Sequence, residues 1–216
     1  MIKIYRKFFS DKDLLEIEQA IKASSGSNWH RSGAISSSDT SASYENNRVA
    51  EAIVAPPKDI PKHIVDKLVD AINRGFEVDV TAHEPWSIQK YRAEVRGHFY
   101  WHSDVLDFFV YDTDRDISPE KLFRINAIPP RKISISVALN DRSEYNGGQF
   151  CIDMGDGKQT PVDLDRGDMV AFTSNTFHGV EDVTSGHRNA LIIWLIDREE
   201  YLEWEELCSD IDSESQ

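Results

Sequence analysis

The sequence predicts a mainly β fold, a barrel or sandwich of short strands supported by two helices near the N-terminus. Three observations lead to this prediction. Two stretches before residue 76 have helical periodicity. From residue 76 onward, β-rich segments alternate with turns of Gly, Asp, Asn and Pro, and no repeat of solenoid period interrupts them. A run of strands that follows helices is typical of β-rich domains with helical support.

Each predicted helix has recognisable start or stop signals. In the first, Ser10 and Asp13 form a capping-box-like start to the segment DKDLLEIEQAIKAS. The second fits IPKHIVDKLVDAINRG, in which Pro61 suits the first turn and Gly75 suits the position just after the helix. The apolar residues that share one face of the first helix are Leu14, Ile17, Ala20 and Ile21.

The strands are predicted from β-rich composition and from the turns between them. Two turn-rich segments, DRSEYNGGQF and MGDGKQ, predict hairpin loops, and Gly147 and Gly148 serve the first turn. Residues 105–130 are long for a connection, which indicates a lid or a binding element. The predicted strand segments are FEVDV, SIQKY, RKISISVAL, QFCIDM, DMVAFT and NALIIWLI.

Length and charge predict one domain over residues 1–216. Its parts are helices and a loop in 1–75, a β core in 76–197 and an acidic tail in 198–216. The formal net charge of −14 disfavours nucleic-acid and membrane partners, because phosphate groups repel an acidic chain. The tail carries eight carboxylates and one arginine, so half of the excess charge lies there.

Cysteine content and hydropathy predict a soluble protein in a reducing compartment, the cytoplasm. Cys151 and Cys208 are too few for a disulfide framework in 216 residues. The N-terminal segment MIKIYRKFFSDKD lacks an apolar core long enough for a signal peptide. No run approaches the about 20 apolar residues that a membrane helix needs.

The stretch HFYWHSDVLDFF offers two alternative metal-binding pairs. His98 and His102 have the spacing of a zinc pair on a helix, but Phe99 stands where a zinc protease has Glu. His102 and Asp104 share one face of a strand, because side chains at i and i+2 point the same way. Taken alone, this second pair favours a surface hydrogen bond between the histidine and the aspartate over a metal site.

A downstream segment, TSNTFHGVEDVTSGHRNALIIWL, favours the second pair. His178 ends one strand-like run, and Arg188 opens another ten residues later. Two histidines and one carboxylate form the facial triad that holds non-haem Fe(II) and leaves positions open. An arginine nearby suits the distal carboxylate of a keto acid, since its guanidinium binds carboxylates in a bidentate manner.

With these motifs the chain resembles the Fe(II)/2-oxoglutarate-dependent oxygenases, and within them the prolyl 4-hydroxylase-like, PKHD-type hydroxylases. The resemblance extends over nearly the whole chain and departs from the family in the 105–130 segment and the acidic tail. The segments that carry it are QKYRAEVRGHFYWHSD, RKISISVALNDRSEYNGGQFCI, VDLDRGDMVAFTSNTFHGVEDVTSGHRNALIIWL, NWHRSG and ENNR.

The resemblance implies a double-stranded β-helix, or jelly-roll, barrel and a set of site residues. Arg188 would bind the C5 carboxylate of 2-oxoglutarate. Tyr91 would reach the same cosubstrate through its hydroxyl, or it is an ordinary core tyrosine. Trp194 matches an aromatic residue near the substrate mouth, although a place in the barrel core is the preferred interpretation. The implied iron ligands, which are also the catalytic residues, are His102, Asp104 and His178.

The implied reaction is hydroxylation of an unactivated C–H bond with release of succinate and CO2. The implied cofactors are Fe(II) and 2-oxoglutarate, and ascorbate is a further candidate. The carboxylate of Asp104 favours hydroxylation over halogenation. The expected substrate is a prolyl or other residue of a peptide or protein, with a free amino acid or other small molecule as the alternative. A non-catalytic jelly-roll binding module is the alternative from a different class.

Overall fold

A computed structural model describes the chain over five ranges, residues 1–25, 29–31, 48–81, 84–105 and 131–202. Most of the predicted 105–130 insertion and most of the acidic tail lie outside these described residues. Residues 198–202, at the start of that tail, are helical. A single domain over 1–216 stays a prediction. None of the helices in the described ranges is long and apolar enough to cross a membrane.

Besides the helical residues 198–202, the described residues form two α-helices and fifteen strands, and three short 3-10 turns connect some of them. The helices are α1 (Asp11–Ser25) and α2 (Lys62–Phe76). The strands are β1 (Ile2–Tyr5), β2 (His30–Arg31), β3 (Arg48–Val49), β4 (Glu51–Ala55), β5 (Val80–Thr81), β6 (Trp86–Arg92), β7 (His98–His102), β8 (Arg131–Ala138), β9 (Asn146–Gly147), β10 (Phe150–Asp153), β11 (Gln159–Val162), β12 (Met169–Thr173), β13 (His178–Val180), β14 (Val183–Ser185) and β15 (His187–Asp197).

The strands assemble into two main antiparallel sheets, as expected of a jelly roll. The large sheet has the order β1-β12-β8-β15-β6-β4-β2, and β5 pairs with β15. The small sheet has the order β11-β10-β13-β7-β3, and β9 pairs separately with β14. Strands adjacent in space are mostly distant in sequence, which is the crossover pattern of a double-stranded β-helix. The predicted fold class is therefore confirmed.

Helix α1 begins as its sequence predicts. The main-chain N–H of Asp13 donates to the Ser10 hydroxyl at 3.2 Å, and the Ser10 N–H donates to the Asp13 carboxylate at 3.0 Å. Together these bonds satisfy donors that the first turn leaves unpaired. The buried face of the helix contains Leu14, Ile17 and Ile21, all predicted.

Helix α2 extends further than predicted. Pro61 directly precedes its first residue, but Gly75 lies inside the helix instead of ending it. The chain leaves the helix at Glu77, which has a left-handed φ of 57°. The two added residues, Gly75 and Phe76, bury the Phe76 ring on the apolar face. The missing side chain of Gly75 leaves room for the Tyr5 hydroxyl.

Two predictions about the strands are wrong. The segment FEVDV is not a strand along its length, because Phe76 completes α2 and only Val80 pairs, within β5. The Gly147–Gly148 segment is not a hairpin, since β8 lies in the large sheet and β10 in the small one. Both glycines have positive φ, 66° and 59°, in the crossover between the sheets. The second hairpin, between β10 and β11, is confirmed.

The core has two layers. The first lies between the helices and the large sheet, where α1 and α2 bury their apolar faces against residues such as Trp86, Ile135 and Ile193. The second lies between the two sheets and includes Tyr91, Phe150, Phe172 and Val180. The helices thus support the large sheet from outside and leave the space between the sheets for a site.

Candidate active site

The small sheet brings the predicted iron ligands together. Strands β7 and β13 are antiparallel neighbours, and His178 is the register partner of His102. Asp104 follows the end of β7, where its N–H donates to the Ser174 carbonyl at 2.9 Å. One ligand atom from each of His102, Asp104 and His178 lies within 4.8 Å of the others.

The ligand atoms of these three residues converge on one point. The Asp104 carboxylate oxygens lie 3.6 Å from His102 Nε2 and 3.4 Å from His178 Nε2. The imidazole rings are 4.3 Å apart and tilted by 51°. The Asp104 carboxylate therefore lies within 4 Å of both imidazoles, and the three potential ligand atoms are grouped around a shared centre.

Main-chain carbonyls set the tautomer of each histidine. His102 Nδ1 lies 2.6 Å from the Tyr100 carbonyl, and His178 Nδ1 lies 3.0 Å from the Thr176 carbonyl. Because a carbonyl can only accept, Nδ1 carries the proton and Nε2 keeps its lone pair. His102 Nε2 is buried without a hydrogen-bond partner. A metal ion fits this orphaned donor, and two imidazoles with a carboxylate suit Fe(II).

Burial and charge hold His178 and Asp104 in the protonation states that bind a metal. Burial lowers the pKa of His178 to about 4, against a smaller opposing effect of Asp104, so the imidazole is neutral at pH 7. Burial alone would raise the pKa of Asp104, but His178, His102 and Arg131 hold it well below its usual range. Asp104 is therefore ionised at neutral pH.

Arg188 and Tyr91 lie across the cleft from the small sheet. They are register partners on β15 and β6, and the Arg188 guanidinium carbon is 5.4 Å from the centre of the Tyr91 ring. Arg188 is 3% exposed, and its Nη1 is buried without a hydrogen-bond partner. The neighbouring His187 is exposed on the opposite face, as its position beside Arg188 predicts.

A cleft with about 380 Å³ of empty space, part of it open solvent, lies between Arg188 and the metal-ligand cluster. Tyr91 is buried but borders this cleft, and its hydroxyl donates to Gln89 Oε1 at 2.6 Å. Tyr91 is thus a core residue that also forms part of the cleft wall, and its contact with the cosubstrate stays a prediction. The other residues that line the cleft are Phe99, His102, Asp104, Ser134, Ile135, Ser136, Phe150, Phe172, His178, Val180, Arg188, Ile192 and Trp194.

The preferred interpretation of Trp194 as a core residue is wrong, because its indole borders the cleft. The guanidinium carbon of Arg131 lies 3.7 Å from the centre of the Trp194 ring. A cation over an aromatic face is attracted by the ring quadrupole. The ring therefore serves as a platform for Arg131 as well as a wall of the cleft.

The zinc alternative based on His98 is not supported. His98 belongs to β7, where its Nδ1 lies 2.7 Å from the Arg96 carbonyl and 3.3 Å from an Asp182 carboxylate oxygen. Its ring stacks on Tyr100 at 3.9 Å. In the part of the chain that the structure describes, the metal-compatible group contains His102, Asp104 and His178 and not His98.

Two arginines beside this site had no predicted role. Arg131 opens β8 and makes a bidentate ion pair with Glu84, at 2.6 and 2.8 Å. Arg48, in the quoted segment ENNR, is buried on β3 beside β7. The contacts of both residues join segments far apart in sequence, so local spacing carries no signal for them.

Comparison with known proteins identifies the family. Residues 86–196, about half of the chain, match the model of the 2OG-Fe(II) oxygenase superfamily. The chain belongs to this superfamily. The matched span contains every predicted site residue, from Tyr91 to Arg188, so the resemblance found in the sequence is confirmed at the level of the family.

The curated relatives of this oxygenase are named PKHD-type hydroxylases. One from Acaryochloris marina is 35% identical over 81 residues, which are 38% of this chain and 36% of the relative. Another from Saccharophagus degradans is 40% identical over 63 residues, 29% of this chain and 27% of the relative. The match thus spans about a third of the length of these relatives or less.

Solved structures share the fold of the oxygenase at low sequence identity. A Pseudomonas putida prolyl-4-hydroxylase has a TM-score of 0.62 at 17% identity, and the match covers 91% of this chain and 92% of the hydroxylase chain. A Trichoplax adhaerens prolyl hydroxylase, solved with a peptide fragment of hypoxia inducible factor, has a TM-score of 0.57 at 13% identity. This second match covers 93% of this chain and 86% of the Trichoplax chain. At such identity the likeness extends to the jelly-roll fold alone.

Proposed function

We propose that this oxygenase is an Fe(II)- and 2-oxoglutarate-dependent hydroxylase. His102, Asp104 and His178 would hold the iron, and Arg188 with Tyr91 would bind the cosubstrate. The observation that carries the proposal is a pair of buried nitrogen atoms without hydrogen-bond partners, one with a free lone pair and one with N–H groups to donate. His102 Nε2 and Arg188 Nη1 belong to residues on facing sides of one cleft, and both are without a partner. Such groups are costly unless a ligand satisfies them.

The residues of the chain divide the proposed work. Iron with 2-oxoglutarate bound at this site would supply the hydroxylation of an unactivated C–H bond by O2, with one oxygen atom going to the substrate and the other to the succinate that forms as CO2 leaves. Arg188 fixes the far carboxylate through charge-assisted hydrogen bonds, and this contact orients the cosubstrate. The apolar side chains of Phe99, Phe150 and Phe172 keep water from the space between the two ends.

For the substrate we propose a prolyl or other residue of a peptide or protein, with a free amino acid or other small molecule as the alternative. The names of the PKHD-type and prolyl hydroxylases among the relatives and structural neighbours support the first class. The acidic composition supports a substrate other than nucleic acid. A cytoplasmic location and a role for ascorbate stay predictions.

A turnover assay tests the proposal. Purified protein with Fe(II), 2-oxoglutarate and oxygen is expected to form succinate even without substrate, in slow uncoupled turnover. We expect His178→Ala to abolish this turnover, because one of three ligands is lost. Arg188→Ala is expected to raise the 2-oxoglutarate concentration required while the metal still binds.

His187→Ala is the matched control, since this histidine is exposed beside Arg188 and does not border the cleft. Its succinate formation should equal that of the wild-type protein. A wild-type protein that binds neither Fe(II) nor 2-oxoglutarate would leave the non-catalytic binding module as the better proposal. Full turnover in His178→Ala would remove that residue from the metal site.

A further inference from the structure

One buried cation packs on Phe99, a residue of the cleft wall, and has no role in the mechanism above. Register pairs define a row of side chains across the small sheet, and partners in register project from the same face. The row runs from Val162 through Phe150, Val180 and Phe99 to Arg48 on β3, the edge strand. Phe150, Val180 and Phe99 line the cleft, and Arg48 is the only charge in the row. The guanidinium therefore belongs to the inner face of the sheet.

Among the described residues, the charge of Arg48 is offset only in part, by Tyr91 and Asp104. The residue is 9% exposed, and its guanidinium carbon lies 4.6 Å from the centre of the Phe99 ring. Its Nε is buried without a hydrogen-bond partner. An unpaired buried cation destabilises a fold, so its presence points to a missing anion.

The pKa of Arg48 agrees with this assessment. Burial lowers it, while Tyr91 and Asp104 oppose the effect. A guanidinium nevertheless stays protonated in proteins, because its ordinary pKa is so high. Arg48 thus keeps a full positive charge within the electrostatic reach of Asp104.

When the charges of the proposed complex are paired, Arg48 is the cation that stays unpaired. The Arg131 charge is matched by Glu84. Under the proposed function, Arg188 takes one carboxylate of 2-oxoglutarate, and the iron is balanced by Asp104 and the other carboxylate. Among the described residues, the metal and the cosubstrate, no anion is then left to pair with Arg48.

We propose that Arg48 binds a carboxylate of the substrate and so selects acidic substrates. The proposal rests on the proposed function, because it assigns both carboxylates of 2-oxoglutarate elsewhere. The same chemistry could be presented by the α-carboxylate of a free amino acid or by an acidic side chain in a peptide. The Phe99 ring beside the guanidinium would hold it in place, since ring and cation attract each other.

Binding measurements with paired probes test this inference. The full chain is loaded with Mn(II) in place of iron, so that no turnover occurs, and with 2-oxoglutarate. L-proline and L-prolinamide are then titrated calorimetrically at low salt, followed by N-acetyl-aspartic acid amide and N-acetyl-asparagine amide. We expect one carboxylate probe to bind, and its amide partner to bind about tenfold more weakly or not at all.

The variants assign this preference to Arg48. In Arg48→Met the bound probe should lose about tenfold in affinity, and Arg48→Lys should recover part of the loss. Arg92→Met is the matched control, because Arg92 already pairs with Glu51 at 2.8 Å. A difference in affinity between L-proline and L-prolinamide would indicate a free amino acid as the substrate. A difference between the aspartate and asparagine probes would indicate an acidic peptide.

Thermal unfolding separates a binding role from a structural one. Arg48→Met should melt at or above the wild-type temperature, since it removes an unpaired buried charge. A clearly lower melting temperature would make Arg48 structural and overturn the inference. Equal probe affinity in wild type and Arg48→Met, or binding of neither carboxylate probe, would also overturn it. Failure of the wild type to bind Mn(II) and 2-oxoglutarate would overturn the proposed function itself.

Discussion

At the scale of single residues, Arg131 contacts both the main chain and the side chain of Asp104 and helps to fix its position. Its Nη1 lies 3.4 Å from the Asp104 carbonyl and 3.9 Å from the Asp104 carboxylate. The rest of the guanidinium is fixed by Glu84 and by the face of Trp194. Partners that orient a metal ligand generally influence metal affinity strongly. Arg131 is therefore a positioning residue for the proposed iron site.

We predict that the double variant Arg131→Met/Glu84→Gln weakens metal binding about tenfold or more. The double change is needed because loss of Arg131 alone would leave a buried carboxylate unpaired. Co(II) titration, followed by its visible absorption, measures the affinity directly. Arg92→Met/Glu51→Gln removes a comparable ion pair away from the cleft and should leave the affinity unchanged. Unchanged affinity in the Arg131 variant would remove the positioning role.

The residue scale also separates what the sequence could predict from what it could not. His102, Asp104, His178 and Arg188 were predictable, because strand alternation and strand ends place them by local rules. Arg131 depends on Glu84, 47 positions away, and so has no local signature. Trp194 was misassigned because β15 is apolar along most of its length, which hides the face that borders the cleft.

At the scale of elements, a buried carboxylate joins the residues just after β1 to the residues just before β12. Asp168 precedes β12 and is 3% exposed. It accepts hydrogen bonds from the Lys7 N–H at 2.8 Å, the Arg6 guanidinium at 2.8 Å and the Asp165 N–H at 3.1 Å. Burial alone would raise the pKa of Asp168, but these three donors hold it below its usual value.

We predict that Asp168→Asn lowers the free energy of unfolding by about 2 kcal/mol at pH 7. The carboxylate contribution is fully present above pH 3.8, the ordinary pKa of Asp, and is lost as the pH falls through the lower folded-state pKa. The wild-type and variant stabilities should therefore converge in acid. Urea unfolding at pH 7 and near pH 3 measures both gaps, and a constant gap would contradict the assignment.

Elements were predictable where their periodicity is long. Helix α1, β8 and β15 are long enough for a repeating pattern of apolar residues to identify them. Strands of two residues, such as β3 and β9, carry no periodicity, so the sequence did not predict them. The β8–β10 crossover was mistaken for a hairpin because glycines with positive φ serve both connections.

At the scale of the whole molecule, scaffold and site are carried by different parts. The helices and most of the large sheet form the larger buried cluster, which contains no predicted metal ligand. The metal ligands come from β7, β13 and the residues just after β7. A metal bound there would link these segments and would stabilise the native state by mass action, because the unfolded chain lacks the assembled triad.

We predict that Mn(II) raises the melting temperature of the protein. At a concentration about a hundred times the dissociation constant, the gain is about 2.7 kcal/mol, or about 5–10 °C for a domain of this size. Addition of 2-oxoglutarate should raise the melting temperature further, and a chelator should reverse both effects. Differential scanning fluorimetry measures the shift. His178→Ala should show almost none, and an equal shift in that variant would place the bound metal elsewhere.

The hydrogen bonds that set the two imidazole tautomers have a consequence for mutational drift and for design. Each acceptor is a main-chain carbonyl two residues upstream, at Tyr100 and at Thr176. Every residue type supplies that carbonyl, so substitutions at those positions leave the acceptor in place. The site can thus tolerate extensive sequence change around it. Grafting it onto another antiparallel sheet would require two short strand segments in register and an arginine to hold the carboxylate.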